Sequence, residues 1–214
     1  MNEFDDCEEV DRRVTRLIMQ RDRPGARRLL RETAEAAAVK GEFEVASHFA
    51  NELGSLSAAD NLDDEALTAY AWAEELRPTD GRLKITTANF LLLSRGEPAK
   101  AIQKIDEAIP LIEHDPSTRY ALTNAFAIKA VARLHLGDTD YAVAQFREWS
   151  NPVRFRRTSS TSCDLRLARA LYVNNVVKNE ALEYLRSVLA KAESESNEHM
   201  VSEVRRVLSA LCAG

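Results

Sequence analysis

Four histidines, three cysteines and several paired acids are the residues of this chain whose types and spacing bear on chemistry. His48, His114, His135 and His199 are scattered. The sequence contains no His-x-x-x-His and no Cys-x-x-Cys, so the ligand spacing that zinc requires is missing. Cys7, Cys163 and Cys212 lie far apart and are odd in number, which suits reduced thiols better than a disulfide framework. Cys163 beside Asp164 offers a thiol, but a nucleophilic cysteine needs a histidine within reach, and the spacing supplies none. The acid pairs Asp63-Asp64 and Glu74-Glu75 fall in helical patterns. The first is placed to complement a helix N-terminus. No glycine-rich phosphate loop is present. The sequence therefore predicts no catalysis, no metal and no cofactor.

Two charged stretches carry a different kind of chemistry. Residues 1–11 hold six acids, Glu3, Asp5, Asp6, Glu8, Glu9 and Asp11. Eight arginines follow, Arg12, Arg13, Arg16, Arg21, Arg23, Arg27, Arg28 and Arg31. Such a cluster fits an acidic partner or RNA. It fits equally a solvated face paired with the acids before it and with Glu32 and Glu35. The second reading is favoured, because only Phe4 interleaves with the arginines and base stacking has no platform. The other stretch, Arg154, Phe155, Arg156, Arg157 and the hydroxyls after them, is a basic loop that can dock a partner or accept phosphate. Its plainer reading is a linker.

These residues must be positioned by helices. Of the 214 residues 45% are apolar, enough for a core, while seven Gly and six Pro are few. Strand-like runs are almost absent, so the chain reads as all-α. A net charge of −5 with 29% charged residues is ordinary and disfavours nucleic acid as the main partner. No apolar run reaches the roughly 18–20 residues of a membrane span. The start is acidic where a signal peptide is basic, and a cytoplasmic protein is expected. Apolar spacing and turn residues predict helices over 7–20, 26–39, 43–57, 63–76, 82–94, 97–113, 117–135, 139–149, 165–176 and 179–192, with a last one from Asn197. Arg21 to Gly25 is read as a breaker. Pro110 is expected to kink or end its helix early, and Asp164 to cap the helix that follows it.

Leu53-Gly54, Ala66, Tyr70, Ala73 and Pro78 follow the spacing of a tetratricopeptide repeat, a helix-turn-helix unit of about 34 residues. The spacing recurs. Turn residues Asn61, Gly96 and Gly137 are each followed five positions later by Ala66, Ala101 and Ala142, then by the large Tyr70, Ile105 and Phe146. Three units over about 44–152 thus resemble that family. Ala181 and Leu185 resemble a fourth, degenerate one. The resemblance implies an all-α, right-handed α-α superhelix of about ten or eleven helices. Its parts would be an acidic and arginine-rich N-terminal helix (1–25), a repeat array (26–152), a basic Ser/Thr linker (153–163), and a degenerate repeat with a capping helix (164–214).

The resemblance also implies a concave groove lined by the first helix of each unit. Carried onto this chain, the groove positions are His48, Asn51 and Ser55, then Thr86, Phe90 and Leu93, then Asn124, Val131, Leu134 and His135. Phe90, Leu93, Val131 and Leu134 stand where members that clamp a peptide C-terminus carry Lys, Arg and Asn. An apolar groove for an amphipathic helix or an extended peptide is therefore expected. The function so implied is a protein–protein interaction scaffold or adaptor. A dedicated chaperone for a secreted or aggregation-prone client is the alternative. Nucleic-acid binding through the N-terminal arginines ranks last. The partner is expected to be another protein, with the oligomeric state left open, a homodimer included.

Overall fold

The computed structural model describes residues 3–150 and 162–212. Among these residues there are eleven α-helices, one 3-10 turn at Pro116–Thr118 and no strand. In order the helices are α1 (Glu3–Met19), α2 (Arg23–Lys40), α3 (Phe43–Ala59), α4 (Asp63–Leu76) and α5 (Gly81–Leu93). They continue with α6 (Pro98–Ile112), α7 (Arg119–His135), α8 (Thr139–Trp149), α9 (Ser162–Val173), α10 (Lys178–Ser194) and α11 (Glu198–Cys212). The chain divides into two compact units, 1–96 and 97–214. The division falls inside the second of the three repeats that the spacing suggests.

One turn is used again and again. Arg21, Gly41, Asn61, Gly137, Asn175 and Ser196 all adopt positive φ, between 55° and 87°. At each, the residue's own N–H bonds to a carbonyl three positions back, and the next N–H bonds to one five positions back, as in Gly41 to Ala38 and Glu42 to Ala37. This left-handed closure stops one helix and, two residues later (three after Asn175), starts the next. The first three turns stand twenty positions apart, and each is followed after five residues by a wholly buried alanine: Ala26, Ala46 and Ala66. Ala101 and Ala142 repeat the relation after Gly96 and Gly137 and are equally buried. The alanine sits where paired helices approach most closely, and a larger side chain would drive them apart.

In the first unit each helix packs on the next. The half-buried Cys7, Val10, Val14, Leu17 and Ile18 of α1 cover a core containing Ala26, Leu30, Phe49, Leu53 and Ala73. Gly54 permits the close approach of α4: a Cβ there would lie 2.6 Å from the Tyr70 ring. Tyr70 is held by Phe90, 5.4 Å between ring centres, and donates to Ser55 Oγ at 3.3 Å. Burial pushes its phenol pKa up, with the Ser55 hydrogen bond acting in the opposite sense.

Ion pairs tie the helix ends of this unit. Arg23 and Arg27 of α2 reach Asp60 in the α3–α4 turn, and Arg31 reaches Glu65 of α4 at 2.6 Å. Arg12 pairs with an acid before it, Glu9 at 3.2 Å. Those pairings go to distant acids rather than to Glu32 and Glu35, because α2 turns the edge bearing Arg23, Arg27 and Arg31 towards α4. Asp63 and Asp64 occupy the first turn of α4, as expected, and are met by Arg95 at 3.9 and 3.1 Å.

In the second unit α7 packs against α6, α8 and α9, and α9 packs against α7, α8, α10 and α11. Ile105, Phe146, Leu165, Leu171, Leu185 and Val204 are buried there. Lys129 of α7 bonds Asp106 of α6 at 2.5 Å, and Arg147 of α8 forks onto Glu180 of α10 at 2.7 and 2.9 Å. The Arg147 hydrogen bond holds the Glu180 carboxyl below its usual range.

Three boundary expectations are corrected. α2 begins at Arg23 rather than 26, since Pro24 is tolerated in a first turn and Asp22 accepts from Gly25 N at 2.8 Å. α6 runs through Pro110 to Ile112, because Pro110 and Asp106, whose carbonyl loses its partner, both lie on the exposed side. α9 begins at Ser162, so Asp164 lies inside the helix rather than at its cap.

Two outcomes check this packing. Gly54→Ala should lower unfolding free energy by about 1–3 kcal/mol in urea titration, as the added methyl displaces the Tyr70 ring. Ser196→Gly, at φ 55° in a turn of the same bonding, should raise it by about 0.5–1 kcal/mol. Wild-type stability in either variant would contradict the corresponding reading.

Candidate partner-binding groove

The first unit carries a cavity of about 760 Å³ along α3. Gly41, Phe43, Val45, His48 and Asn51 form one wall, Arg82, Leu83 and Thr86 of α5 the other, and Cys7 of α1 a lip. Arg77 and Asp80 in the α4–α5 connection close one end. From Gly41 to Asn51 the wall runs about 15 Å at 1.5 Å per helical residue.

Each wall is fixed by its own chemistry. The left-handed Gly41 sets the start of α3. Asp80 caps α5 by accepting from Arg82 N at 3.0 Å. A buried carboxylate then locks α5 to α4. Glu74 accepts from Thr87 Oγ1 at 2.5 Å and faces Lys84 Nζ at 3.6 Å. The expensive burial of a carboxylate is offset only by such partners, so they hold α5 in one register. Arg82 and Thr86 are thereby aimed at α3.

The carboxylates of the groove already face cations. Glu44 and Asp80 meet Arg77 at 3.6 and 3.1 Å, and Glu42 meets Lys40 at 3.8 Å. The Arg82 guanidinium has no carboxylate partner among the described residues. Asn51 Oδ1 is buried at the groove wall without a hydrogen-bond partner. Most buried polar atoms are paired, so this enclosed acceptor is an exception, and the cavity does not reach it.

Of the residues singled out in the sequence, His48, Asn51 and Thr86 come together here. Ser55 instead bonds within its helix to Asn51 O and receives the Tyr70 hydroxyl. The expected apolar lining is corrected. Phe90 is 4% exposed beneath Tyr70, and Val131 and Leu134 of the second unit are 7% and 6% exposed. The burial of neighbouring residues such as Leu91 and Ala130 shows how much of each helix is enclosed. Leu93 is 56% exposed at the end of α5. Asn124 is half-buried in α7 and His135 exposed at its last turn. Arg154, Phe155, Arg156 and Arg157 lie outside the described residues. Arg82 was missed, although it stands one helical turn before Thr86 on the same face of α5, the signal that would have found it.

Among the described residues no cluster of His, Cys, Asp or Glu is arranged to hold a metal ion, and no helix is long and apolar enough to cross a membrane.

No family model matches the chain. No curated protein matches it either. One solved structure, a Bacteroides ovatus protein provisionally described as a protein binding protein, aligns over 96% of this chain and 98% of its own. It is 16% identical, with a TM-score of 0.36. So loose an overlap says nothing about function, and the functional reading rests on the groove.

Asn51→Leu should leave unfolding free energy unchanged or raise it by up to about 1 kcal/mol, because it replaces an unpartnered buried acceptor with an apolar group of similar size. Thermal and urea unfolding check this. A clear loss of stability would mean that the amide has a structural partner.

Proposed function

We propose that this chain is a protein-interaction module of tetratricopeptide-like build, which holds an extended segment of a partner protein in the groove between α3 and α5. It does so without catalysing a reaction. The observation that carries this reading is the groove itself: an open cavity of about 760 Å³, walled by two helices. A length of about 15 Å accommodates about four or five residues of extended chain at 3.3 Å each. Phe43, Val45 and Leu83 would cover the partner's apolar side chains. Affinity would come from a wall already rigid before binding.

The chaperone alternative has less support, since an aggregation-prone client calls for continuous apolar surface. The exposed large apolar residues Met19, Val39, Phe43, Tyr120 and Val173 stand on five different helices. Nucleic-acid binding is weakened because Arg23, Arg27 and Arg31 are engaged with Asp60 and Glu65.

Thr86→Tyr fills the groove without touching the core, since Thr86 is half-exposed and its hydroxyl bonds only the Arg82 carbonyl of its own helix. Stability should stay within about 0.5 kcal/mol. Proteins captured from a lysate by the wild type and identified by mass spectrometry should be lost with the variant. Identical capture by both would place binding elsewhere.

A further inference from the structure

We infer that the part of α1 from Cys7 to Val14 is a lid, which closes a small apolar chamber beside the groove and lifts to join the two. This rests on the groove reading above and adds a moving part to it. The chamber has a volume of about 120 Å³ and lies between α1, α2 and α3. Val10 borders it from α1, Thr33, Ala36 and Ala37 from α2, and Phe49 from α3. Phe49 is wholly buried beneath this cover. Cys7, Glu42 and Val45 line both the chamber and the groove, so they form the partition between them. Glu42 and Val45 belong to the fixed start of α3, and Cys7 belongs to α1.

Little holds this stretch down. Among the described residues of α1 no side chain is fully buried: Cys7, Val10, Val14, Leu17 and Ile18 are all half-buried. By contrast, α2, α3 and α4 each bury at least five residues and pack between two helices, whereas α1 lies chiefly on α2. The cavity beside Val10 forfeits the dispersion contacts that a close-packed side chain makes. Asp11 stands 3.8 Å from His48 Nε2, beyond hydrogen-bond length, and Arg12 pairs with Glu9 of its own helix. The other end of α1 is fastened. The N–H groups of Arg21 and Asp22 donate to the carbonyls of Ile18 and Leu17, and the Asp22 carboxylate caps α2. Local opening takes the elements with the fewest buried apolar contacts first, so α1 pivots at this turn while α2 and α3 stay packed. The groove walls on α3 and α5 keep their places, and only the lip moves.

The test is amide hydrogen exchange of the full chain read by mass spectrometry, with alkylation of Cys7 by iodoacetamide followed on the same peptide map. Amides from Cys7 to Val14 should exchange about tenfold or more faster than those from Ala46 to Leu53 in α3. Val10→Ala removes part of the contact that keeps the lid shut. It should speed exchange over Cys7 to Val14 about three- to ten-fold, leave α2, α3 and α4 unchanged, and raise the rate of Cys7 alkylation. Acceleration of all four helices alike would mean that α1 opens only with the whole unit, and would overturn the lid. Exchange in α1 as slow as in α3 would overturn it too. So would faster exchange with Cys7 alkylation unchanged, since the helix would then fray without lifting. None of these readouts needs a partner. A lid that fails them leaves the groove standing, whereas identical capture by the wild type and Thr86→Tyr removes the groove's role and leaves the motion intact.

Discussion

The architecture depends on a two-residue reversal in which one residue takes the left-handed conformation. Because that closure satisfies two carbonyls at the end of a helix and starts the next helix at once, successive helices have nowhere to go but against each other. The buried alanine five residues later then sets how near they come. Side-chain size and turn geometry act together here. A larger residue at Ala46 or Ala66 would separate helices that the turn has already forced together. Glycine supplies the conformation at Gly41 and Gly137, but Arg21, Asn61, Asn175 and Ser196 adopt it too. Four such positions carry a conformational cost that the packing around them offsets.

Electrostatics fixes what this packing leaves free. Apolar contact sets the spacing of two helices but tolerates sliding. The pairs from Arg23, Arg27 and Arg31 to Asp60 and Glu65, and the forked pair from Arg147 to Glu180, join points that match in one register. Glu74 is the interior version of the same device, and the groove inherits its geometry from it.

Much of this was legible in the sequence because it depends on local periodicity. Ala66, Ala101 and Ala142, with Tyr70, Ile105 and Phe146, are buried as their spacing implied. The same relation at Arg21 and Ala26 passed unread, because an arginine does not announce a left-handed turn. The groove was legible only in part. His48, Asn51 and Thr86 follow from helix faces, but the facing partner of each helix is a tertiary fact. That is why Phe90, Val131 and Leu134 looked available when they are enclosed. Arg82 depends on a count of which charges are already paired, and one-dimensional order does not hold that information.

The uniform turns also bear on how the chain acquires its structure. Each helix of the first unit rests on its immediate successor, so contacts join segments close in sequence and little loop entropy is lost in making them. The first helical hairpin is complete once Lys40 has left the ribosome, and each later helix finds its docking surface already formed by the one before. A chain assembled this way grows by accretion during synthesis, with the N-terminal unit, and the groove within it, formed before the remainder is made.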